Sequence, residues 1–478
     1  MFRLLVRRVS VAVNDRTRRH RQQQGMIPAM DNDYSDKNAD LGALYASHLE
    51  TVSARHDYAL EKAGASHAVI YSGNPKIAFL DDYYYPFKAN PHFACWAPLI
   101  SLPFSYIVYT PGETPVLIYF QPHDYWHVVP GAPAGYWTSH FDIRIVHSVD
   151  EIAQHLPEEI EKCVLVGEID DEALAFGIER VNPTTVVNIL HYARGSKTDY
   201  ELAVMRLASR RGAAGHLAAE AAFREGLAEF DIHRAYCKAV GHTEPELPYD
   251  NIVALNEHGA VLHYTDLDRT RPGTLNSFLI DAGAQVHGYG SDITRTYSYG
   301  DQRFQDLIDR MDAMERDIVA RVEVGVDFRD LHVDTHGMIA GILVEADLAT
   351  GDPDTLLETG VTSAFFPHGL GHLLGAQVHD VGGHMENESG TTIDPPSGHP
   401  FLRLTRVLEE NMVLTIEPGL YVIDMLLENL RGTAAENHVN WNTVDWLRPY
   451  GGIRIEDNVR VLTGDRENLT RDAFADAS

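Results

Sequence analysis

Two aspartates, Asp281 and Asp292, stand eleven residues apart in 278-FLIDAGAQVHGYGSDITRTY-297, and two carboxylates brought face to face can hold a divalent cation. The apolar run Phe278 to Ile280 leads straight into Asp281. An ionised carboxylate at the end of such a run is costly unless a cation or hydrogen-bond donors compensate it. Taken alone, the pair also fits two turn residues bonded to backbone. The segment 365-FFPHGLGHLLGAQVHDVGG-383 adds His368, His372 and His379 among glycines that allow close backbone approach. One lone histidine is commonly a hydrogen-bonded structural residue; three so close together point to at least one metal ligand. Glu417 ends a strand-like run before Pro-Gly in 414-LTIEPGLY-421, and Glu456 falls in 451-GGIRIEDNVRV-461, read as an alternating strand. Both are expected to face inward. For Glu456 an ordinary salt bridge to Arg454 is the alternative.

Asp281, Asp292, His372, Glu417 and Glu456 together offer one imidazole and four carboxylates, a hard, oxygen-rich set suited to Mn2+, Co2+ or Zn2+ rather than a soft metal. Four negative charges crowded together repel one another unless matching positive charge lies among them. Two divalent ions supply it.

Positioning these groups requires a hairpin around Gly283, Gly288 and Gly290, with β-like patterns on either side. Upstream, helical spacing predicts a helix over 41–63 closed by Gly64, followed by strands at 67–72, 105–110, 114–120 and 163–167 and a helical stretch near 150–155. The intervening 79-FLDDYYYPFKANPHFACW-96 is too aromatic for a solvated linker and reads as a binding loop, although Asp81 and Asp82 fit a turn before Tyr83 equally well. Thr198 with Glu201 three residues on is a capping box that opens a long helix running to residue 223. The domain boundary is placed just before it, giving a smaller α/β domain over 38–194 and a second domain over 195–478. Helical stretches at 304–322 and 328–348 then make the second domain helices backing a sheet. The expected class is therefore α/β (α+β).

At 478 residues the chain exceeds a usual single core, which agrees with two domains. Three widely spaced cysteines, Cys95, Cys163 and Cys237, supply neither a disulfide framework nor a thiolate metal site, and fit a reducing cytoplasm. A formal charge of −30 repels nucleic acid and anionic membrane surfaces. No apolar run approaches the ~20 residues of a membrane span. Residues 1–26, with seven arginines and one acid, are set apart as a basic leader, disordered or upstream of the true start.

At FLDDYYYPFK, PYDNIVALN, AVLHYTD, PHGLGH, QVHDVGG and GGIRIED the chain resembles the pita-bread metallopeptidases, the family of methionine aminopeptidase, aminopeptidase P and prolidase. Within it the likeness is strongest to the bacterial prolidase branch, and it extends from about Leu41 to the C-terminal region. A departure is GYGSD, where relatives often carry alanine at the third position. The resemblance implies a pita-bread catalytic domain and two metal ions, with Asp292 and Glu456 bridging them, His372 and Glu417 completing one and Asp281 binding the other. It implies Glu417 as proton shuttle, His379 as a donor at the scissile carbonyl, His263 and Arg454 on the substrate carboxylate, and Tyr249 and His368 lining the pocket. It further implies a homodimer in which Asp82 crosses to the neighbouring site and binds the substrate's amino group. The implied activity is hydrolysis of Xaa-Pro dipeptides, with side activity on organophosphate triesters and fluorides. An aminopeptidase acting on longer peptides is the nearest alternative, and a non-catalytic peptide-binding module on the same fold is one of another class.

Overall fold

The computed structural model describes residues 40–477; the basic leader 1–26 lies outside them. The first helix runs Leu41–Ala63, as its periodicity predicts, and stops where Gly64 turns left-handed at φ 60°. Its buried face, Tyr45, Leu49, Val52 and Leu60, packs over a five-stranded sheet. In chain order the strands are β1 (His67–Tyr71), β2 (Tyr106–Tyr109), β3 (Val116–Phe120), β4 (Asp142–Val146) and β5 (Cys163–Val166). Their spatial order is β4-β3-β2-β1-β5, with β1–β5 and β3–β4 parallel and the other neighbours antiparallel. The β4 strand has no counterpart among the sequence expectations, because Arg144 and Ile145 are exposed and no apolar run marks it. The aromatic loop divides into an exposed part over 77–85 and a short helix, Pro91–Trp96, that buries Phe93 and Trp96.

The second half carries four small antiparallel sheets backed by helices. The helix Asp199–Arg224 opens with the full capping box, Thr198 Oγ1 accepting from Glu201 N–H and the Glu201 carboxylate accepting from Thr198 N–H. It packs against the helix Glu229–Val240, with Gly215 so close to Tyr236 that a Cβ there would stand 2.5 Å from the ring. The strands that follow are β6 (Ile252–Leu255), β7 (Ser277–Asp281), β8 (Gln285–Val286), β9 (Tyr289–Gly290) and β10 (Thr294–Ser298). The last five are β11 (Val413–Ile416), β12 (Gly419–Tyr421), β13 (Gly452–Arg454), β14 (Asp457–Leu462) and β15 (Asp465–Asn468). The expected helices are Gln302–Val319 and Phe328–Glu345, each opened by an aspartate that accepts a first-turn N–H, Asp301 and Asp327. They bury Phe304, Met311, Phe328 and Leu343 in one core with Leu414, Ile416 and Ile453.

The expected single hairpin is two nested ones. Strands β7 and β10 pair with Asp281 opposite Thr294, while β8 and β9 form a smaller hairpin within their connection. Gly283 is obligatory there, since a Cβ would meet Ser291 O at 2.1 Å. The segment 452–459 does not alternate between buried and exposed as expected, because every residue in it is buried. A strand covered on both faces loses the period-two signal.

Candidate metal centre

A row of residues crosses the sheet and sets up the site. Asp281 lies opposite Thr294 in the β7–β10 ladder, Thr294 bridges to Glu456, and the β11–β14 register, Ile416 opposite Asp457, sets Glu417 opposite Glu456 one pair further out. Neighbours in a row share one face, and so do residues two apart along a strand. Asp292 therefore joins Thr294 on that face, and Arg454 joins Glu456. His372 comes from the adjoining segment, where Thr415 N–H donates to His372 O and Glu417 N–H to Leu370 O, both at 2.9 Å. Gly371 permits this approach, for a Cβ on it would stand 1.9 Å from Thr415 O.

The five residues expected to hold metal converge. Donor atoms of Asp292, His372 and Glu456 all lie within 4.8 Å of one another. His372 Nε2 is 3.3 Å from Asp292 Oδ2 and 3.7 Å from Glu417 Oε1. The Tyr249 hydroxyl, a single proton, stands 2.8 Å from Asp281 Oδ1 and 2.5 Å from Asp292 Oδ1. Thr294 Oγ1 donates to Glu456 Oε2 at 2.6 Å.

Charge in the group is unbalanced. Burial pushes Glu417 up to about 7, with Asp292 and Asp281 adding to the rise against His372 and Arg454. Glu456 is raised well above the usual carboxylate range by burial and then by Asp292, Glu417 and Asp281. Burial also raises Asp281 despite Arg454 beside it. Asp292 ends below its ordinary value because the His372 hydrogen bond and charge outweigh its burial. Burial acts to lower His372, yet Asp292 and Glu417 raise it overall. Divalent cations would relieve this crowding, and the donor set fits them. The tautomer fits as well: His372 Nδ1 lies 3.0 Å from Leu373 O, so its proton is held there and Nε2 is free to ligate.

Around this group the other expected residues divide. Tyr249 touches two of the five, as described. His379 stacks edge-on against His372, ring centroids 4.4 Å apart, and is lowered to about 4 by burial, His372 and Arg403. It is therefore a neutral donor near pH 7. His368 Nε2 is 2.9 Å from Tyr421 OH, and its Nδ1 is 3.6 Å from Glu417 Oε2. His263 is exposed and is an electrostatic neighbour of both His368 and His379. Asp82 is exposed in the 77–85 loop, outside the carboxylate–histidine group of its own chain; Asp81 Oδ1 accepts from its N–H at 2.8 Å, the turn arrangement.

Arg454 makes a different ion pair from the one its place beside Glu456 suggests. It pairs with Asp281 rather than Glu456, Nη2 to Oδ2 at 2.7 Å, and also donates through Nη1 to Tyr421 OH and through Nε to Thr294 Oγ1. A fork committed to Asp281 and Tyr421 is not open for bidentate binding of a ligand carboxylate. Arg403, exposed and an electrostatic neighbour of His379, is a cation with no ion pair among the described residues, and sequence reasoning did not single it out. Asn458 was also overlooked. Its side-chain oxygen accepts from Asp292 N–H at 3.0 Å while its amide donates to Asp292 O, fixing the backbone of that ligand candidate. The motif GGIRIEDN held the signal, an amide two residues beyond Glu456 and therefore on the same face.

The sheet with its backing helices and the buried carboxylate–histidine group define a metallopeptidase of pita-bread fold. The family described as "Metallopeptidase family M24" matches residues 203–463, and "Xaa-Pro dipeptidase, N-terminal domain" matches residues 43–192. The chain belongs to metallopeptidase family M24, a family of hydrolases. It is 52% identical over 440 residues to the Xaa-Pro dipeptidase of Stenotrophomonas maltophilia (strain K279a), covering 92% of this chain and 99% of the relative. It is 53% identical over 436 residues to the Xaa-Pro dipeptidase of Xanthomonas campestris pv. campestris (strain 8004), covering 91% and 98%. Among solved structures it resembles aminopeptidase P from E. coli with the inhibitor Pro-Leu, at a TM-score of 0.66 and 24% identity over 89% of this chain and 95% of that one. That likeness bears on the fold.

Proposed function

We propose that the protein hydrolyses Xaa-Pro dipeptides with a free C-terminal proline, using two divalent ions held by Asp281, Asp292, His372, Glu417 and Glu456. The observation that carries the reading is the convergence of four carboxylates and one tautomer-fixed imidazole in one buried group. The 52% identity to Xaa-Pro dipeptidases supports the substrate class. Asp292 and Glu456 would serve both ions, His372 and Glu417 one, and Asp281 the other. Mn2+ suits the oxygen-rich set, with Co2+ and Zn2+ as substitutes. When bound, such ions acidify water and polarise the scissile carbonyl.

The chain's own residues do the rest. The amide before proline has no N–H, and its nitrogen must gain a proton to leave. Glu417, poised by burial, takes a proton from the attacking water and delivers it to that nitrogen. His379 donates a hydrogen bond to the carbonyl oxygen, and His368 lines the pocket. Arg403 provides the cation for the proline carboxylate, with the His263 ring as a hydrogen-bonding partner beside it. Arg454 offsets the charge of Asp281, and Tyr249 spans the two aspartates.

The same reading places the domain boundary just before Gly195 and makes the protein a cytoplasmic homodimer. Its three cysteines are free, and no helix among the described residues is long and apolar enough to cross a membrane. Two adjacent loops expose Phe79 and Leu80 at 90% and 91% and Tyr125 and Trp126 at 86% and 77%, an apolar surface suited to a second copy. The partner subunit's Asp82 would then meet the substrate's amino group and limit length to dipeptides. Attack on organophosphate triesters and fluorides would use the same machinery on phosphorus. The test is hydrolysis of Xaa-Pro and Xaa-Pro-Xaa by metal-stripped protein refilled with Mn2+, Co2+ or Zn2+. Restored cleavage confined to the dipeptide supports the reading, and preference for the tripeptide would replace it with an aminopeptidase.

A further inference from the structure

Three histidines outside the carboxylate group point at one another. His332 and His336 lie one turn apart on the helix Phe328–Glu345, and His399 faces them from the turn after Pro396. Ring centroids are 4.8 Å apart for His332–His336, 4.7 Å for His332–His399 and 4.4 Å for His336–His399. One donor nitrogen of each lies within 4.8 Å of the other two.

Their hydrogen bonding is incomplete. His332 is 1% exposed, and neither ring nitrogen has a partner; His336, equally buried, lacks one at Nε2. Burying polar groups this way costs ~1–3 kcal/mol each unless something satisfies them. His336 Nδ1 lies 3.1 Å from Thr362 Oγ1, so the tautomer that donates from Nδ1 to this hydroxyl leaves the unpartnered Nε2 free to ligate. All three rings are lowered by burial, His332 to about 2 and His336 to about 3, so they are neutral ligands at pH 7 rather than mutually repelling cations. His399 is only partly buried and offers the route in from solvent.

We propose that His332, His336 and His399 form a separate, imidazole-only site for a divalent transition metal of the Zn2+, Ni2+ or Cu2+ class. Neutral imidazoles without carboxylates favour these ions over the Mn2+ that suits the oxygen-rich group. Zn–N distances of ~2.0–2.1 Å imply nitrogens ~3.3 Å apart, so each ring moves inward by roughly 1 Å at most. The Phe366 ring lies against both His336 and His368, centroids 4.9 Å away in each case, and stands between this site and the pocket.

The test is a difference measurement that does not depend on how many ions the carboxylate group takes. The full chain and its His399→Ala variant are first saturated with Mn2+ and then dialysed against Zn2+, with metal content and melting temperature read together. His399 lies in a partly buried turn, so the variant should fold, and equal melting temperatures before zinc addition establish that. The expected result is one zinc fewer per chain in His399→Ala and a smaller zinc-induced rise in melting temperature. A Cu2+-loaded parent should also show nitrogen hyperfine splitting in its EPR spectrum that is weakened in His399→Ala and in His332→Leu. Equal zinc content in parent and variant, or copper spectra that do not change, would overturn the proposal.

Discussion

Arg454 Nη2 stands 2.7 Å from Asp281 Oδ2, in an ion pair whose side chains are only 5% and 14% exposed. It makes Arg454 the resident cation of a site otherwise crowded with carboxylates. Removing one partner of a buried pair typically costs ~3–5 kcal/mol, because the other charge is left uncompensated. Arg454→Met should therefore destabilise the metal-free protein by about that amount. Added Mn2+ should raise the melting temperature more in the variant than in the parent, since the ion replaces the lost charge. Equal shifts in differential scanning calorimetry would show that Arg454 and the metal do not share a task.

Glu417→Gln keeps the side chain's size and removes its proton-carrying capacity. General acid–base groups contribute ~10²–10⁴ in rate. Turnover of an Xaa-Pro dipeptide should fall by at least ~10²-fold while circular dichroism and melting behaviour stay close to the parent's. Near-normal turnover would remove Glu417 from the shuttle role.

Asp380, next to His379, is buried between Arg194 at 2.5 Å and Lys197 at 3.1 Å, and so ties the His379 loop to the start of the long capped helix. Although burial opposes ionisation, the charges of Arg194 and Lys197 outweigh it and hold the carboxyl below its ordinary value. A depressed folded-state value means stability that is present above ~3.9, the unfolded value, and lost as pH falls through the folded one. Asp380→Asn should cost ~3–5 kcal/mol near pH 7, with the deficit shrinking below about pH 4. Denaturant melts of parent and variant at pH 7 and pH 3.5 check this, and a deficit that does not depend on pH would count against it.

Much of this architecture is legible locally. Leu41–Ala63 follows from apolar spacing and Gly64, and the helix from Asp199 follows from Thr198 and Glu201. The residues of the metal group are legible as types. Their alignment in a row through Thr294 is not, because it depends on Thr294 bridging to Glu456, 162 residues further along the chain. Strand β4 escapes because a half-exposed strand without an apolar run lacks a clean period, whereas helices Thr184–Ala193 and Glu229–Val240 do repeat their apolar residues at helical spacing and were readable though not singled out. Arg454 was readable as a cation near the site, but its partner is decided by the fold: Asp281 reaches it across the sheet, whereas Glu456 bonds Thr294. Arg403 sits in PFLRLTR, where nothing in the spacing separates it from any surface arginine.

The exposed loops give a further prediction. Phe79→Asp with Leu80→Asp should convert a dimer to monomers in sedimentation and reduce dipeptide turnover, because Asp82 lies in the same loop. Asp82→Ala should instead leave the dimer intact and relax the preference for dipeptides over tripeptides. A monomeric parent, or unchanged length selectivity in Asp82→Ala, would defeat the cross-subunit role.

The most direct test is a metal titration of fully chelated protein, following cleavage of an Xaa-Pro dipeptide as Mn2+ is returned. The account predicts no measurable hydrolysis at zero metal, a plateau in rate reached near two ions per chain, and no return of activity at any metal level when Asp292 or Glu456 is replaced by alanine. Cleavage at undiminished rate by the demetallated chain would contradict it.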